Sequence, residues 1–175
     1  MNEVFLIDSN IFITPYQNYY KFSIAPSYWE QLSEMSLNGK VLSLDSVRDE
    51  LCVEKKEEKK DTLQKWVEGS FKGDFKQKNT EKVVKQYARI INYIRESDLY
   101  SDQALQTWSN IKVADPWIVA VAKVYDYTVV TFEKYNNSLS SKQPAKNPKI
   151  PNICEEFNVR YTGLFEMMEK LNIVL

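Results

Sequence analysis

Val4-Phe5-Leu6-Ile7-Asp8-Ser9-Asn10, almost at the start of the chain, is a short apolar run closed by a carboxylate. A run of this length bounded by polar residues reads as a buried strand. Asp8 then sits where that strand leaves the core, an expensive place for a charge. The arrangement returns far down the chain, where Thr128-Val129-Val130-Thr131 leads into Glu133. Between them, Glu50 and Asp115 each stand at the expected start of a helix. Four carboxylates at the ends of core elements suggest a metal site. The 175 residues include no histidine, which removes the usual imidazole base, His-ligated zinc and every Ser-His or Cys-His pair. If the chain is an enzyme, carboxylates and hard cations are its means.

Outward from the first strand, strand-like and helical patterns alternate. Tyr28, Leu32 and Met35 recur at helical spacing, Pro26 suits the entry and Gly39 the C-cap. Lys40-Val41-Leu42-Ser43 predicts a strand, after which Asp45 or Ser46 can cap a helix whose Val47 and Leu51 face the core. Residues 54–68 hold five acids and five bases and read as a solvated helix, residues 71–80 as a loop. Val83, Val84, Tyr87, Ile90, Ile91 and Ile94 mark one face of an amphipathic helix, and a shorter helix is expected over 101–108. The segment from Ala114 to Ala122 is too apolar for a surface helix, so it should be buried on more than one side. Residues 127–131 predict a strand, 135–152 a loop, 158–161 a last strand and 164–171 a last helix. No repeat or linker interrupts the pattern. The expected fold is therefore a single α/β domain over 1–175, with a mostly parallel central sheet between helical layers. Asp8 and Glu133 would lie beyond the carboxyl ends of its strands, where such sheets place their sites.

Composition narrows the function classes. With 23 basic and 24 acidic residues the net charge is -1, so any attraction for phosphate must be local. There is no secretory h-region and no apolar stretch near membrane-spanning length, and Cys52 and Cys154 lack metal-binding spacing. A cytoplasmic protein with reduced thiols and no membrane partner is the expectation.

Four segments in order, Phe5-Leu6-Ile7-Asp8-Ser9-Asn10, Val47-Arg48-Asp49-Glu50-Leu51, Ala114-Asp115-Pro116-Trp117-Ile118-Val119-Ala120 and Val129-Val130-Thr131-Phe132-Glu133, together resemble the PIN domain. The resemblance covers nearly the whole chain. The tail Lys146-Asn147-Pro148-Lys149-Ile150-Pro151 followed by Cys154 looks like a little-characterised bacterial and archaeal branch of that family. It implies a three-layer α/β/α fold and a Mg2+- or Mn2+-dependent ribonuclease, the toxin of a type II toxin-antitoxin pair. RNA would be the substrate, with an antitoxin and a second copy of the chain as candidate protein partners. By the resemblance Asp8, Glu50, Asp115 and Glu133 take the acidic catalytic and metal-binding positions, and Ser9, Asn10 and Thr131 the supporting polar ones. The family's fourth acid is most often Asp, where this chain has Glu133.

The residue types suit that chemistry. Mg2+ and Mn2+ prefer hard oxygen ligands and keep several waters, so a few carboxylates suffice. Each acid also has a plainer reading. Asp115 before Pro116 fits an N-cap followed by proline in the first turn. Glu50 fits a first-turn acid favoured by the helix dipole, with Asp49 its rival as a ligand. Ser9 and Asn10 fit a turn. Asp8, directly after a buried strand, has few structural duties. Lys134, Lys142, Lys146 and Lys149 lie on a stretch without acids that begins beside Glu133, and they serve either RNA phosphates or a solvated loop. None of the 11 tyrosines and 4 tryptophans is assigned to RNA. The readings from other classes are a PIN-like module that binds RNA or protein without turnover, and a structure-specific DNA nuclease.

Overall fold

A computed structural model describes residues 3–53 and 56–175. Five strands, β1 (Phe5–Ile7), β2 (Val41–Leu44), β3 (Phe75–Lys76), β4 (Thr128–Val130) and β5 (Tyr161–Thr162), form one sheet in the order β3-β2-β1-β4-β5. Every pairing is parallel, with Leu6 of β1 opposite Leu42 on one side and Val129 on the other. β1, β2 and β4 are buried at every residue. That is why their sequences read as unbroken apolar or β-branched runs and not as alternation, since both faces of a parallel sheet are covered.

Among the described residues the cover is nine α-helices: α1 (Asn10–Thr14), α2 (Pro26–Leu37), α3 (Asp45–Leu51), α4 (Thr62–Gly69), α5 (Glu81–Glu96), α6 (Asp102–Trp108), α7 (Asp115–Tyr125), α8 (Ile150–Glu156) and α9 (Leu164–Leu171). The three-layer α/β/α architecture expected from the sequence is the architecture found. Every residue of α7 from Pro116 to Ala122 is buried, as its composition demands, and α5 packs along it, with Tyr87 stacked on Trp117 at 3.9 Å. Beyond α2, Gly39 takes φ +70, the left-handed C-terminal position that glycine occupies without strain.

Several expectations are corrected. Residues 54–68 do not form one solvated helix: Glu54 lies outside the described residues, Glu57–Lys59 is a 3-10 turn, and α4 begins only after Asp61 accepts the Gln64 N–H at 2.8 Å. α4 is amphipathic, burying Leu63, Gln64 and Val67. Neither Asp45 nor Ser46 caps α3; Leu44 holds that position with no side-chain cap, and Asp45 pairs with Lys78 at 3.1 Å. The loop expected over 71–80 contains β3, aligned on β2 by Ser43 opposite Phe75. The loop expected over 135–152 ends early because α8 starts at Ile150, with Pro151 in its first turn. α1 continues into a π-helical turn, Pro15–Tyr19, which the sequence reading left unassigned.

Strand order carries one consequence for function. β1 has β2 on one side and β4 on the other, so the connections leaving them diverge, and the carboxyl ends of β1 and β4 border the opening where such sheets gather ligands.

Candidate functional site

Asp8 directly follows β1 and Thr131 directly follows β4, and the register of Ile7 with Val130 sets them side by side. Asp8 is 1% exposed. Its Oδ2 accepts the Thr131 hydroxyl at 2.7 Å, and its Oδ1 accepts the Ile11 N–H at 3.1 Å. The second bond corrects the expectation that Asp8 has few structural duties, because it caps the first turn of α1. Capping needs only one carboxylate oxygen and tolerates solvent, whereas here the whole group is buried. Burial pushes the Asp8 carboxyl up to about 7, with Glu133 adding to the rise; hydrogen bonds from Thr131, Ile11 and Asn10 pull the other way.

Asp115 opens α7 but does not cap it. Ala114 holds the N-cap position and no side chain bonds there, so the capping reading of Asp115 is not realised. Its carboxyl is likewise pushed up to about 7, by burial first and then by Glu133, Asp8 and Glu50, with Lys149 opposing. The four acids picked out from the sequence therefore converge closely enough to act on one another. Asp8 and Asp115 bear most of the cost.

Glu50 and Glu133 are employed differently. Glu50 stands in the last turn of α3 (Asp45–Leu51) and not at the helix start expected from the sequence; exposed there, it reaches across so that its Oε1 accepts the Ala114 N–H at 3.0 Å, joining α3 to the N-terminus of α7. Both oxygens of Glu133 are engaged. Oε1 pairs with Lys149 Nζ at 2.7 Å, and Oε2 accepts the Ile150 N–H at 2.8 Å at the start of α8. The Glu133 N–H in turn donates to the Thr131 hydroxyl at 3.1 Å, so Thr131 links Asp8 to the chain carrying Glu133. The sequence reading missed the Lys149 pair because it missed α8; Pro151 was the available signal.

The remaining candidates separate by placement. Ser9 takes the N-cap position of α1 without a side-chain cap bond, and Asn10, the next residue, is exposed. Both stand beside Asp8 at the site's edge. Lys134, Lys142 and Lys146 are exposed, while Lys149 is turned onto Glu133. Cys52 and Cys154 are free thiols, Cys154 buried and Cys52 half-buried.

The donors are oxygens, the class a hard ion prefers. Among the described residues no three acids or thiols stand close enough to enclose one ion. The set therefore does not form a closed cage, but it fits an ion that keeps most of its waters and takes one or two carboxylates, the habit of Mg2+. Asp8 and Asp115 are the residues that would hold it, since a cation there relieves the penalty that burial and mutual repulsion impose on both. Glu133 would have to release Lys149 to join them.

Fold and site together define a parallel α/β domain with a carboxylate cluster at the junction of its central strands. The chain belongs to the family described as a domain of unknown function (DUF4411), whose model matches residues 5–175. No curated protein and no solved structure matches it. Among the described residues no helix is long and apolar enough to cross a membrane.

Proposed function

We propose that this domain is a PIN-type ribonuclease that hydrolyses RNA phosphodiester bonds with Mg2+ or Mn2+, acting in the cytoplasm as the toxin of a type II toxin-antitoxin pair. One observation carries the nuclease reading: Asp8 and Asp115 are drawn together where burial and neighbouring acids disfavour their ionisation, an arrangement costly to the fold by itself. Structural ion-pair networks usually place a cation in contact with such acids, and here Lys149 is in contact with Glu133 and acts on Asp115 only from a distance. A bound cation lowers the pKa of its water and neutralises charge on the phosphoryl oxygens. The chain's own contribution is positional. Thr131 and the Ile11 amide fix both oxygens of Asp8, and Asp115 opens α7 within reach of the charges of Asp8, Glu50 and Glu133. The toxin role and the antitoxin partner follow from the resemblance to PIN domains.

A second reading has its own observation. The Lys149–Glu133 pair at 2.7 Å already supplies a positive charge to the cluster, which suits a PIN-like scaffold that binds without turnover. Incubating the full chain with a mixed RNA pool, in Mn2+ and in EDTA, separates the two. Cleavage only with Mn2+, lost in Asp8→Asn, supports the nuclease; retention of RNA without cleavage supports the binding module. Cleavage of DNA with RNA left intact would replace the substrate.

A further inference from the structure

Three aromatic rings from separate elements meet at the surface next to the carboxylates. Tyr19 closes the π-helical turn after α1, Phe132 stands between Thr131 and Glu133, and Phe165 lies in the first turn of α9. The Tyr19 ring stacks on Phe132 with centroids 6.4 Å apart and planes at 28°, and meets Phe165 edge-on at 6.3 Å. Tyr19 and Phe165 are each 52% exposed. A lone exposed ring needs no explanation, but three rings from separate parts of the chain joined through Tyr19, one of them flanked by site residues, make a patch that does.

We propose that Tyr19, Phe132 and Phe165 form a stacking platform for an unpaired base of a nucleic-acid strand, holding the adjoining phosphate toward Asp8 and Asp115. This rests on the nuclease reading and deepens it by making the protein selective for unpaired strands. The chemistry of the patch favours a base over a protein side chain. Its faces are aromatic, and base-on-ring stacking tolerates any sequence because every base has a π-face. Charge follows in the same order: after Phe132 come the carboxylate of Glu133 and the exposed cation of Lys134, with Lys149 alongside. A stacking group and a cation for the adjoining phosphate thus follow one another within a few residues of the chain. Within a duplex the bases are paired and stacked on one another, so their faces cannot reach the rings.

The test uses fluorescence anisotropy with a labelled unstructured strand of about ten nucleotides, a length one such site spans, as RNA and as DNA, and with the matching duplexes. Measurement in EDTA removes cleavage from the readout. The parent should bind a strand in preference to its duplex. Tyr19→Leu with Phe165→Leu, which keeps apolar area but removes π-faces, should weaken strand binding by about 10-fold or more, while Tyr19→Phe with Phe165→Tyr should retain it. Circular dichroism and melting checks that each variant folds like the parent, and Phe165→Leu alone serves if the pair does not. Strand binding that is insensitive to the leucines, equal binding of duplex and strand, or no strand binding at all overturns the platform. Cleavage in Mn2+ is scored separately. A parent that cleaves RNA yet ignores the leucines loses the platform alone, and one that stacks strands without ever cleaving loses the nuclease reading alone.

Discussion

Asp8→Asn should make the protein more stable above neutral pH and less stable in acid. The rise of the Asp8 carboxyl from its ordinary 3.8 to about 7 corresponds, at ~1.4 kcal/mol per pH unit, to about 4 kcal/mol. At 1% exposure solvent screens little of it. The sign follows from proton counts. Above pH 7 both folded and unfolded chains carry the charge and the fold bears its full cost. Between 3.8 and 7 the folded state holds a proton that the unfolded state has lost, so parent stability climbs as pH falls through that window. Asparagine keeps the acceptor for the Ile11 N–H but turns an amide toward the Thr131 hydroxyl, a loss of about 1 kcal/mol. The net gain at pH 9 is about 3 kcal/mol, or roughly 6–12 °C in Tm for a chain of this size. The advantage shrinks below neutrality and reverses near pH ~4.5, where the remaining charge cost equals the lost bond. Thermal melts in EDTA from pH 4 to 9 measure it, and Mn2+ added at pH 8 should stabilise the parent by about 2.7 kcal/mol at 100 times its Kd and the variant by far less. A variant less stable than the parent at pH 9, or a difference that does not vary with pH, would refute the placement of a charged, uncompensated Asp8.

Glu133→Gln should release Lys149 and weaken the start of α8, lowering stability by about 1–2 kcal/mol; an unchanged melt would show that the engagement with Lys149 and Ile150 carries no weight. If Glu133 also reaches a metal after releasing Lys149, Glu133→Asp should keep more activity than Glu133→Gln across a Mn2+ titration, whereas parent-like cleavage in both leaves the site to Asp8, Glu50 and Asp115. Thr131→Val removes the hydroxyl that lowers the Asp8 carboxyl, so the pH of half-maximal stability change should move upward, and an unmoved profile would place the hydroxyl elsewhere. Changing Lys134, Lys142 and Lys146 to Ala should flatten the salt dependence of RNA binding by up to about 0.7 in slope per lost contact; an unaltered slope identifies a solvated loop.

The sequence disclosed those parts of the fold where local pattern and tertiary demand agree. β1, β2 and β4 are buried on both faces and α7 at every residue from Pro116 to Ala122, so their composition alone announces them, and α5 is long enough for periodicity to speak. It stayed silent where tertiary contacts decide. β3 has two residues and exists because Ser43 and Leu44 stand beside Phe75 and Lys76. The last strand forms at Tyr161–Thr162 and not over 158–161, because Asn158 adopts φ 51 as the chain turns out of α8. α1 lay hidden because Ile11 and Phe12 continue an apolar run with no period of their own.

The same division runs through the site. All four acids were legible as residue types at element ends, but what each one binds was not. Three of them accept an amide at a helix N-terminus: Asp8 from Ile11 in α1, Glu50 from Ala114 before α7, and Glu133 from Ile150 in α8. Helix N-termini carry partial positive charge, so the start of three helices can hold acids close together without an ion pair for each. Asp115 is the exception. It opens α7, yet the amide before that helix is taken by Glu50, and its own carboxylate meets burial and the other three acids. The helix ends make the cluster possible, and Asp115 leaves it short of positive charge at one point. That unmet charge sits beside Asp8, at the carboxyl ends of β1 and β4, where the strand order opens the sheet.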